Sequence, residues 1–349
     1  MTGELLTQVL CGKTLTPEEA YQLMQGMMEG AFTPAQMGAL LATLRLRGET
    51  REELLGFARA MKDRAMVFRI PSSWEVADNC GTGGDGKGTL NISTGAALLA
   101  HALGVPVVKH GNRSVSSRCG SADFLEGLGF PIDLPQSIME ELFARTKFAF
   151  LFAPLYHPAM RAVQGVRREL GVRTTFNLLG PLTTPCPVHY KMVGVYSLEL
   201  LEPVAYVLLH LGVERGLVVF GEPGVDEVSV CGTTHCVLVT SQKIERFVFH
   251  PEEVGLPVYP LSAIQGGEPQ ENVFLFLEVL EGRVRKAPRD ALALNAAFLL
   301  WLSKKAESVP EALGKVGEAI DSGRALENLK ALLEEAGKLR RGEGHGSHS

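Results

Sequence analysis

A glycine-rich segment, residues 78–94, constrains the fold more than any other part of the sequence. It reads DNCGTGGDGKGTLNIST and lies between a short β-prone run and an alanine-rich helical run. Glycine allows positive φ angles and has no Cβ, so backbone N–H groups in such a loop can approach an anion closely. A lone G-x-G-G is most often an ordinary turn. The preceding strand, the polar residues and the helix start together favour an anion-binding loop.

The chain changes its pattern at about residue 70. Earlier residues have helical spacing, with Thr16, Thr33 and Thr50 as the expected N-caps. Later residues alternate β-prone runs with glycine-rich turns and helices, which predicts an α/β fold with a mostly parallel central sheet. The expected strands are 74–79, 105–109, 148–152 and 216–220, with further strands within 232–260.

This change of pattern also predicts the domain limits. The small all-helical domain comprises residues 1–70, joined by helices from about 157–185. The larger α/β domain comprises 71–156 and 186–336, with closing helices at 290–305 and 310–336. Residues 337–349, which end in GEGHGSHS, are expected to be a disordered tail.

Composition argues against several other classes of protein. A formal net charge of -5 disfavours a general nucleic-acid binder. The six cysteines include no C-x-x-C pair, so neither structural zinc nor a disulfide framework is indicated. Uncharged runs are shorter than the roughly 18 residues of a membrane span, and the N-terminus lacks the pattern of a signal peptide. We therefore expect a cytoplasmic protein with no nucleic-acid or membrane partner.

A second predicted strand leads into a loop rich in cationic and hydroxyl groups. These are Lys109, Arg113 and Arg118, with Ser114, Ser116, Ser117 and Ser121. Such donors suit a diphosphate or a sugar phosphate, especially if this loop and the glycine-rich one are neighbours. A solvated basic loop is the alternative, because most charge runs lie on the surface.

Two further segments suggest ligands. Asp226 and Glu227 follow the strand predicted at 216–220, and paired carboxylates are hard oxygen ligands for Mg²⁺. An isolated Asp-Glu pair is usually a polar turn, but two anion-binding loops favour a metal-bridged diphosphate. Residues 167–181 contain three arginines, of which one could clamp a carboxylate in a bidentate pair. A basic helix face explains that segment equally well.

Taken in order, five motifs resemble the anthranilate phosphoribosyltransferase family. They are GTGGD (81–85), NIST (91–94), KHGNR (109–113), RREL followed by R-T-x-F-N (167–177) and the DE pair (226–227). The family implies a Mg²⁺-dependent enzyme of tryptophan biosynthesis that transfers the 5-phosphoribosyl group of phosphoribosyl pyrophosphate (PRPP) to anthranilate. It also implies a homodimer formed through the helical domain, with the active site in the cleft between the two domains.

The resemblance assigns residues to each ligand. The PRPP contacts would be Gly81, Gly84, Asp85, Thr89, Asn91, Ile92, Ser93, Thr94, Lys109, His110, Gly111, Asn112, Arg113, Ser114, Val115, Ser116, Ser117 and Ser121. The anthranilate contacts would be Gly81, His110, Asn112, His157 and Arg167. Ser93, Asp226 and Glu227 would hold the metal, and Lys109, Asp226 and Glu227 would be catalytic.

Small departures from the family pattern occur at Thr184, where asparagine is expected, at Cys186, where a small residue is expected, and at Cys119. Two other functions are compatible with the fold. A nucleoside phosphorylase shares the architecture but resembles a different pattern, K-H-S-T-G-G. A non-catalytic nucleic-acid or regulatory binder would have a broad basic face, and the acidic balance and the intact Asp226-Glu227 pair argue against it.

Overall fold

The computed structural model describes residues 2–114, 118–241 and 243–342, and it begins with four helices. They are α1 Thr2–Leu10, α2 Pro17–Met28, α3 Pro34–Arg47 and α4 Arg51–Asp63. The side chains of Thr16, Thr33 and Thr50 each accept a hydrogen bond from the backbone N–H three residues later. The side chain of that later residue accepts a hydrogen bond from the N–H of the threonine. The three predicted N-caps are confirmed as capping boxes.

Strands and helices then alternate. The first group is β1 Ala77–Gly81, α5 Ile92–Ala102, β2 Val107–Gly111, α6 Ser121–Gly127, α7 Gln136–Thr146 and β3 Phe148–Phe152. The middle group is α8 Ala153–Tyr156, α9 Arg161–Leu170, α10 Thr175–Leu179, β4 Tyr190–Gly194, α11 Leu201–His210 and β5 Arg215–Gly221. The last group is β6 Thr234–Thr240, β7 Ile244–Phe249, α12 Pro269–Leu280, α13 Ala287–Leu302, α14 Val309–Asp321 and α15 Arg324–Arg340.

The described strands form one seven-stranded sheet in the order β3-β2-β1-β4-β5-β6-β7. The pairs from β3 to β5 are parallel, and β6 and β7 are antiparallel additions. This confirms the predicted α/β class with a mostly parallel sheet. Strand β1 lies between β2 and β4, so the strand order reverses there. In open α/β sheets such a switch point, at the carboxyl ends of the strands, is where ligands bind.

The buried apolar side chains of the described residues form two cores. Helices α1 to α4 share one core with the middle helices, represented by Val163 and Leu179, and with one face of β4 and β5, including Val193 and Val218. The opposite face of the same strands, including Met192, belongs to the core formed with α5 and α13. Because one core runs from the helices into the sheet, the domain limits drawn from the sequence remain a prediction.

The structure differs from the sequence-based expectations at three places. Strand β4 lies next to β1 but was not predicted, because the charge of Lys191 interrupts its apolar pattern. The chain after Phe249 forms a 3₁₀ turn, Pro251–Val254, and not further strand. Helix α15 continues to Arg340 with Leu339 buried, so the assignment of residues 337–340 to a disordered tail was wrong. Within the described ranges, no helix has both the length and the hydropathy needed to cross a membrane.

Candidate active site

Four adjacent strands end in glycine, and three of these glycines surround the acid pair. The strand ends are Gly111 of β2, Gly81 of β1, Gly194 of β4 and Gly221 of β5. A Cβ added to Gly194 would lie 1.6 Å from the carbonyl oxygen of Asp226, and one added to Gly81 would lie 2.1 Å from its Oδ2. The Asp226 peptide therefore packs directly against the strand ends at the switch point, which only glycine permits.

Burial raises the pKa values of the two carboxyl groups. Asp226 and Glu227 are 9% and 8% exposed. Oδ2 of Asp226 accepts from the Gly83 N–H (2.7 Å), and Oε1 of Glu227 accepts from the Ser93 N–H (3.2 Å). Burial, reinforced by the charge of Asp85, raises the pKa of Asp226 to about 7. Burial and the neighbouring Asp226 raise the pKa of Glu227 as well. Crowded buried acids of this kind favour a cation.

The glycine-rich loop leads into helix α5. Positive φ angles occur at Gly83, Gly84, Gly86 and Gly88. Asn91 is the N-cap of α5, but its side chain makes no capping hydrogen bond. Its Nδ2 instead donates to the carbonyl of Cys119 (3.1 Å) and joins the two predicted loops. Of the other predicted PRPP contacts, Thr89 forms an isolated antiparallel β-bridge with Gln265. Ile92 and Thr94 are buried in the first turn of α5.

Lys109 is the central residue of β2 and is 1% exposed. Its Nζ donates to the carbonyl of Asn79 (2.6 Å), and burial lowers its pKa. The next residue of β2 is held by Asp78, whose Oδ1 accepts from the N–H of His110 (3.3 Å). The charge of Lys109 also opposes the rise in the pKa of Glu227. Lys109 thus acts on the acid pair from within the sheet.

Arg113 is engaged by acids of helix α6. It pairs with Asp123 (2.9 Å) and Glu126 (2.8 Å), and the hydrogen bonds to Glu126 and then Asp123 raise its pKa. Oδ2 of Asp123 also accepts from the N–H groups of Ser114 (3.1 Å) and Gly120 (2.9 Å). Donors predicted for phosphate are therefore bonded to a carboxylate in this structure.

The remaining predicted residues of the second loop are close together. Oγ of Ser121 donates to the carbonyl of Asn112 (3.2 Å), and a Cβ on Gly111 would lie 2.2 Å from that Oγ. The structure therefore brings the end of β2 into contact with the start of α6. Val115, Ser116 and Ser117, also predicted as PRPP contacts, lie outside the described residues.

Two neutral histidines lie next to each other, with the ring centroids of His110 and His157 5.1 Å apart. Burial lowers their pKa values to about 3 and about 4. Nδ1 of His110 donates to the carbonyl of Gly180 (3.1 Å), which leaves Nε2 as an acceptor. Nε2 of both rings is buried without a hydrogen-bond partner among the described residues. The pair therefore offers acceptors to a ligand with N–H groups.

Arg167 lies on α9, which belongs to the helical core. Its guanidinium lies over the ring of Phe176, 5.1 Å from the centroid, and burial lowers its pKa. A partly desolvated guanidinium binds a carboxylate more strongly than an exposed one does. The predicted carboxylate clamp is compatible with this setting.

Two buried asparagines from the C-terminal helices support the site but were not predicted. Asn295 exchanges two hydrogen bonds with the backbone of Val228, the residue after Glu227, both at 2.9 Å. Asn272 donates to Oδ1 of Asn91 at 2.8 Å. An asparagine inside an apolar helix was the available signal, because a buried amide needs partners.

The departure at Thr184 has a structural explanation. Its hydroxyl donates to Oδ2 of the fully buried Asp78 (2.6 Å), which also pairs with Lys191 on β4. Lys191 in turn donates to Thr184 Oγ1 (2.7 Å). A buried ion pair with its hydrogen bonds satisfied thus anchors β1 just before the glycine-rich loop.

Comparison with known proteins shows that the chain is a member of a glycosyl transferase family. Residues 73–326 match the glycosyl transferase family α/β domain, and residues 3–65 match the helical bundle domain of the same family. The chain is 46% identical to the anthranilate phosphoribosyltransferase of Pelotomaculum thermopropionicum over 98% of this chain and 99% of the relative. The chain therefore belongs to the anthranilate phosphoribosyltransferase family.

Solved structures of this family have the same fold. The enzyme from Thermus thermophilus superposes with a TM-score of 0.89 at 43% identity, covering 95% of this chain and 99% of that one. The Saccharomyces cerevisiae enzyme in complex with PRPP and Mg gives 0.87 at 28% identity, covering 97% and 98%. The same yeast enzyme with 4-fluoroanthranilate gives 0.85 at 27% identity, covering 97% and 99%.

We predict that Gly194→Ala lowers the free energy of unfolding by disrupting the packing of the Asp226 peptide against β4. The added methyl group meets a backbone oxygen that cannot rotate away, and overpacking of this kind costs about 1–3 kcal/mol or more. Urea unfolding measures the loss. Gly314→Ala, on an exposed face of α14 with no atom within 4 Å of the added Cβ, is the matched control and should be neutral or slightly stabilising. Equal stability of the two variants would contradict the prediction.

We also predict that the histidine pair makes stability depend on pH. Because the folded pKa values lie below the ordinary value of about 6.5, the unfolded chain binds more protons between about pH 6.5 and pH 4. The contribution of the two histidines to the free energy of unfolding should therefore fall as the pH drops through this range, by up to about 1.4 kcal/mol per pH unit for each histidine. The acid pair, whose pKa values are raised, contributes in the opposite direction, so the histidine contribution is measured as the difference in slope between the wild type and a histidine variant. His157→Gln should reduce this slope, whereas His210→Gln, at an exposed position, should not. Equal slopes for the wild type and His157→Gln would refute it.

Proposed function

We propose that this chain transfers the 5-phosphoribosyl group of PRPP to anthranilate, giving N-(5-phosphoribosyl)anthranilate and pyrophosphate, in tryptophan biosynthesis in the cytoplasm. The observation that carries the proposal is the buried Asp226-Glu227 pair, which lies at the β1/β4 switch point next to two glycine-containing loops. Membership of the family supports the choice of substrates. A diphosphate and a small aromatic acid are the ligands that this arrangement of charges suits.

The acid pair would hold Mg²⁺ together with Ser93. The raised pKa values of both carboxyl groups fit a cation, because a divalent ion would relieve the repulsion between them. Within the described residues, no three His, Cys, Asp or Glu side chains form a self-contained metal site. The remaining ligands would be phosphate oxygens and water, as is usual for Mg²⁺. The ion supplies positive charge at the leaving diphosphate when bound.

Main-chain N–H groups would make most of the contacts with PRPP. The glycine-rich loop from Gly81 to Gly88 and the end of β2 present backbone N–H groups, with Asn91 linking the two loops. Lys109, held by Asn79, adds charge from below the loops and stabilises the negative charge that grows on the leaving group. Arg113 would contact phosphate after exchanging its acidic partners.

His110, His157 and Arg167 would bind anthranilate. The two neutral imidazoles accept hydrogen bonds from the amine N–H groups, and Arg167 pairs with the carboxylate. The amine nitrogen then attacks C1 of the ribose as the bond from C1 to the diphosphate oxygen breaks. An aromatic amine is already neutral and nucleophilic, so positioning contributes more than a strong general base, and we assign none.

We also propose that the chain forms a homodimer through its helical domain. Leu46 on α3 is 88% exposed and Leu10 on α1 is 43% exposed, and a contact through the helical domain would cover such side chains. Sedimentation velocity measures the assembly directly. A species with the mass of one chain at micromolar concentration would rule out a stable dimer.

The function is tested by following the loss of anthranilate fluorescence in the presence of PRPP and Mg²⁺. We expect turnover that requires PRPP and stops when EDTA removes the metal. Phosphorolysis of thymidine or uridine without PRPP would identify a nucleoside phosphorylase instead. Salt-sensitive binding of nucleic acid without turnover would identify a binding protein.

We predict that Arg167→Ala raises the KM for anthranilate by about 10–100-fold, because a charge-assisted hydrogen bond contributes about 1.5–3 kcal/mol. The KM for PRPP should change little. Arg168→Ala, at the exposed neighbouring position of α9, is the control and should behave as the wild type. An unchanged anthranilate KM in Arg167→Ala would remove the carboxylate clamp from the mechanism.

A further inference from the structure

Arg173 lies on the glycine-rich loop, although it belongs to the segment between α9 and α10. A Cβ added to Gly84 would lie 2.9 Å from Cδ of Arg173 and 3.4 Å from its Cγ. Gly84 also has a φ of +71°, which disfavours any side chain at this position. The aliphatic part of Arg173 therefore occupies the space next to Gly84 and restrains the loop.

The guanidinium of Arg173 is held by an aromatic ring from a third segment. Its central carbon lies 4.2 Å from the ring centroid of Tyr196, just after β4. A cation over the face of a tyrosine ring is attracted by the ring quadrupole. Arg173 thus joins the helical segment, the glycine-rich loop and the exit of β4 at one point.

This guanidinium still has hydrogen-bonding capacity. Within the described part of the chain it donates no hydrogen bond and pairs with no carboxylate, and the side chain is partly exposed. Arg113, by contrast, is bonded to Asp123 and Glu126. The five N–H donors of an arginine match the oxygens of a phosphate or a carboxylate. An oxyanion bound at Gly84 would find these donors next to it.

We propose that Arg173 is a PRPP-binding residue whose aliphatic part fixes Gly84 and whose guanidinium donates to a phosphoryl oxygen of the ligand. This inference rests on the proposed function. It adds a side-chain cation, supplied by the helical segment that also carries Arg167, to the main-chain donors of the loop. Binding of PRPP would then fix the segment that presents the anthranilate contact.

Three variants separate packing from charge. Arg173→Met keeps the aliphatic contact with Gly84 and removes the charge, Arg173→Lys keeps a charge, and Arg173→Ala removes both. Arg168→Met is the matched control, because Arg168 is exposed in the preceding helix. Calorimetry with PRPP and Mg²⁺ gives Kd without turnover, and steady-state assays give KM for each substrate.

Arg173→Met should raise the Kd and KM for PRPP by about 10-fold or more, with an unchanged melting temperature and an unchanged KM for anthranilate. Arg173→Lys should recover much of the affinity, and Arg168→Met should match the wild type. Wild-type PRPP affinity in Arg173→Met would overturn the role of the guanidinium while leaving the proposed function intact. A rise confined to the KM for anthranilate would also overturn it, by assigning the cation to the other substrate. A wild-type chain that binds no PRPP would overturn the proposed function and this inference together.

Discussion

The peptide of Asp226 lies against the ends of β1 and β4, where a Cβ on Gly194 would come within 1.6 Å of its carbonyl oxygen. This contact places the acid pair at the point where the strand order of the sheet reverses. The Gly83 N–H and the first turn of α5 then bind the two carboxylates. The loop, the helix start and the acid pair therefore depend on one close approach between backbones.

Buried polar groups hold this arrangement from below. Asn295 fixes the peptide after Glu227, and Asp78 with Lys191 anchors the start of the glycine-rich loop. Each of these groups is costly to bury unless its partners are present, so the site and the stability of the sheet are linked. The raised pKa values of the two acids are a local electrostatic cost of the site, which a bound cation would offset.

Much of the fold was predictable because its signals are local. The capping threonines, the glycine-rich loop and the run 148–152, which is β3, were each visible in a few consecutive residues. Strand β4 was missed because Lys191 makes its sequence resemble a surface segment. The partner that makes this lysine tolerable, Asp78, is 113 residues away. From the sequence, Arg113 was expected to be available to bind phosphate. Its pairing with Asp123 and Glu126 could not be predicted, because it depends on the placement of α6.

Residue types at short spacing were sufficient to predict the class of fold, the two loops, the acid pair and the resemblance to the family. The order of the strands, and so the identity of the glycines that contact Asp226, follows from the folded structure. The folded structure also makes His110 and His157 neutral, since their low pKa values come from burial. The contact of Arg173 with Gly84 likewise arises from the packing of a distant segment onto the loop. Such contacts depend on the whole chain, because burial and orientation are set by elements far apart in sequence.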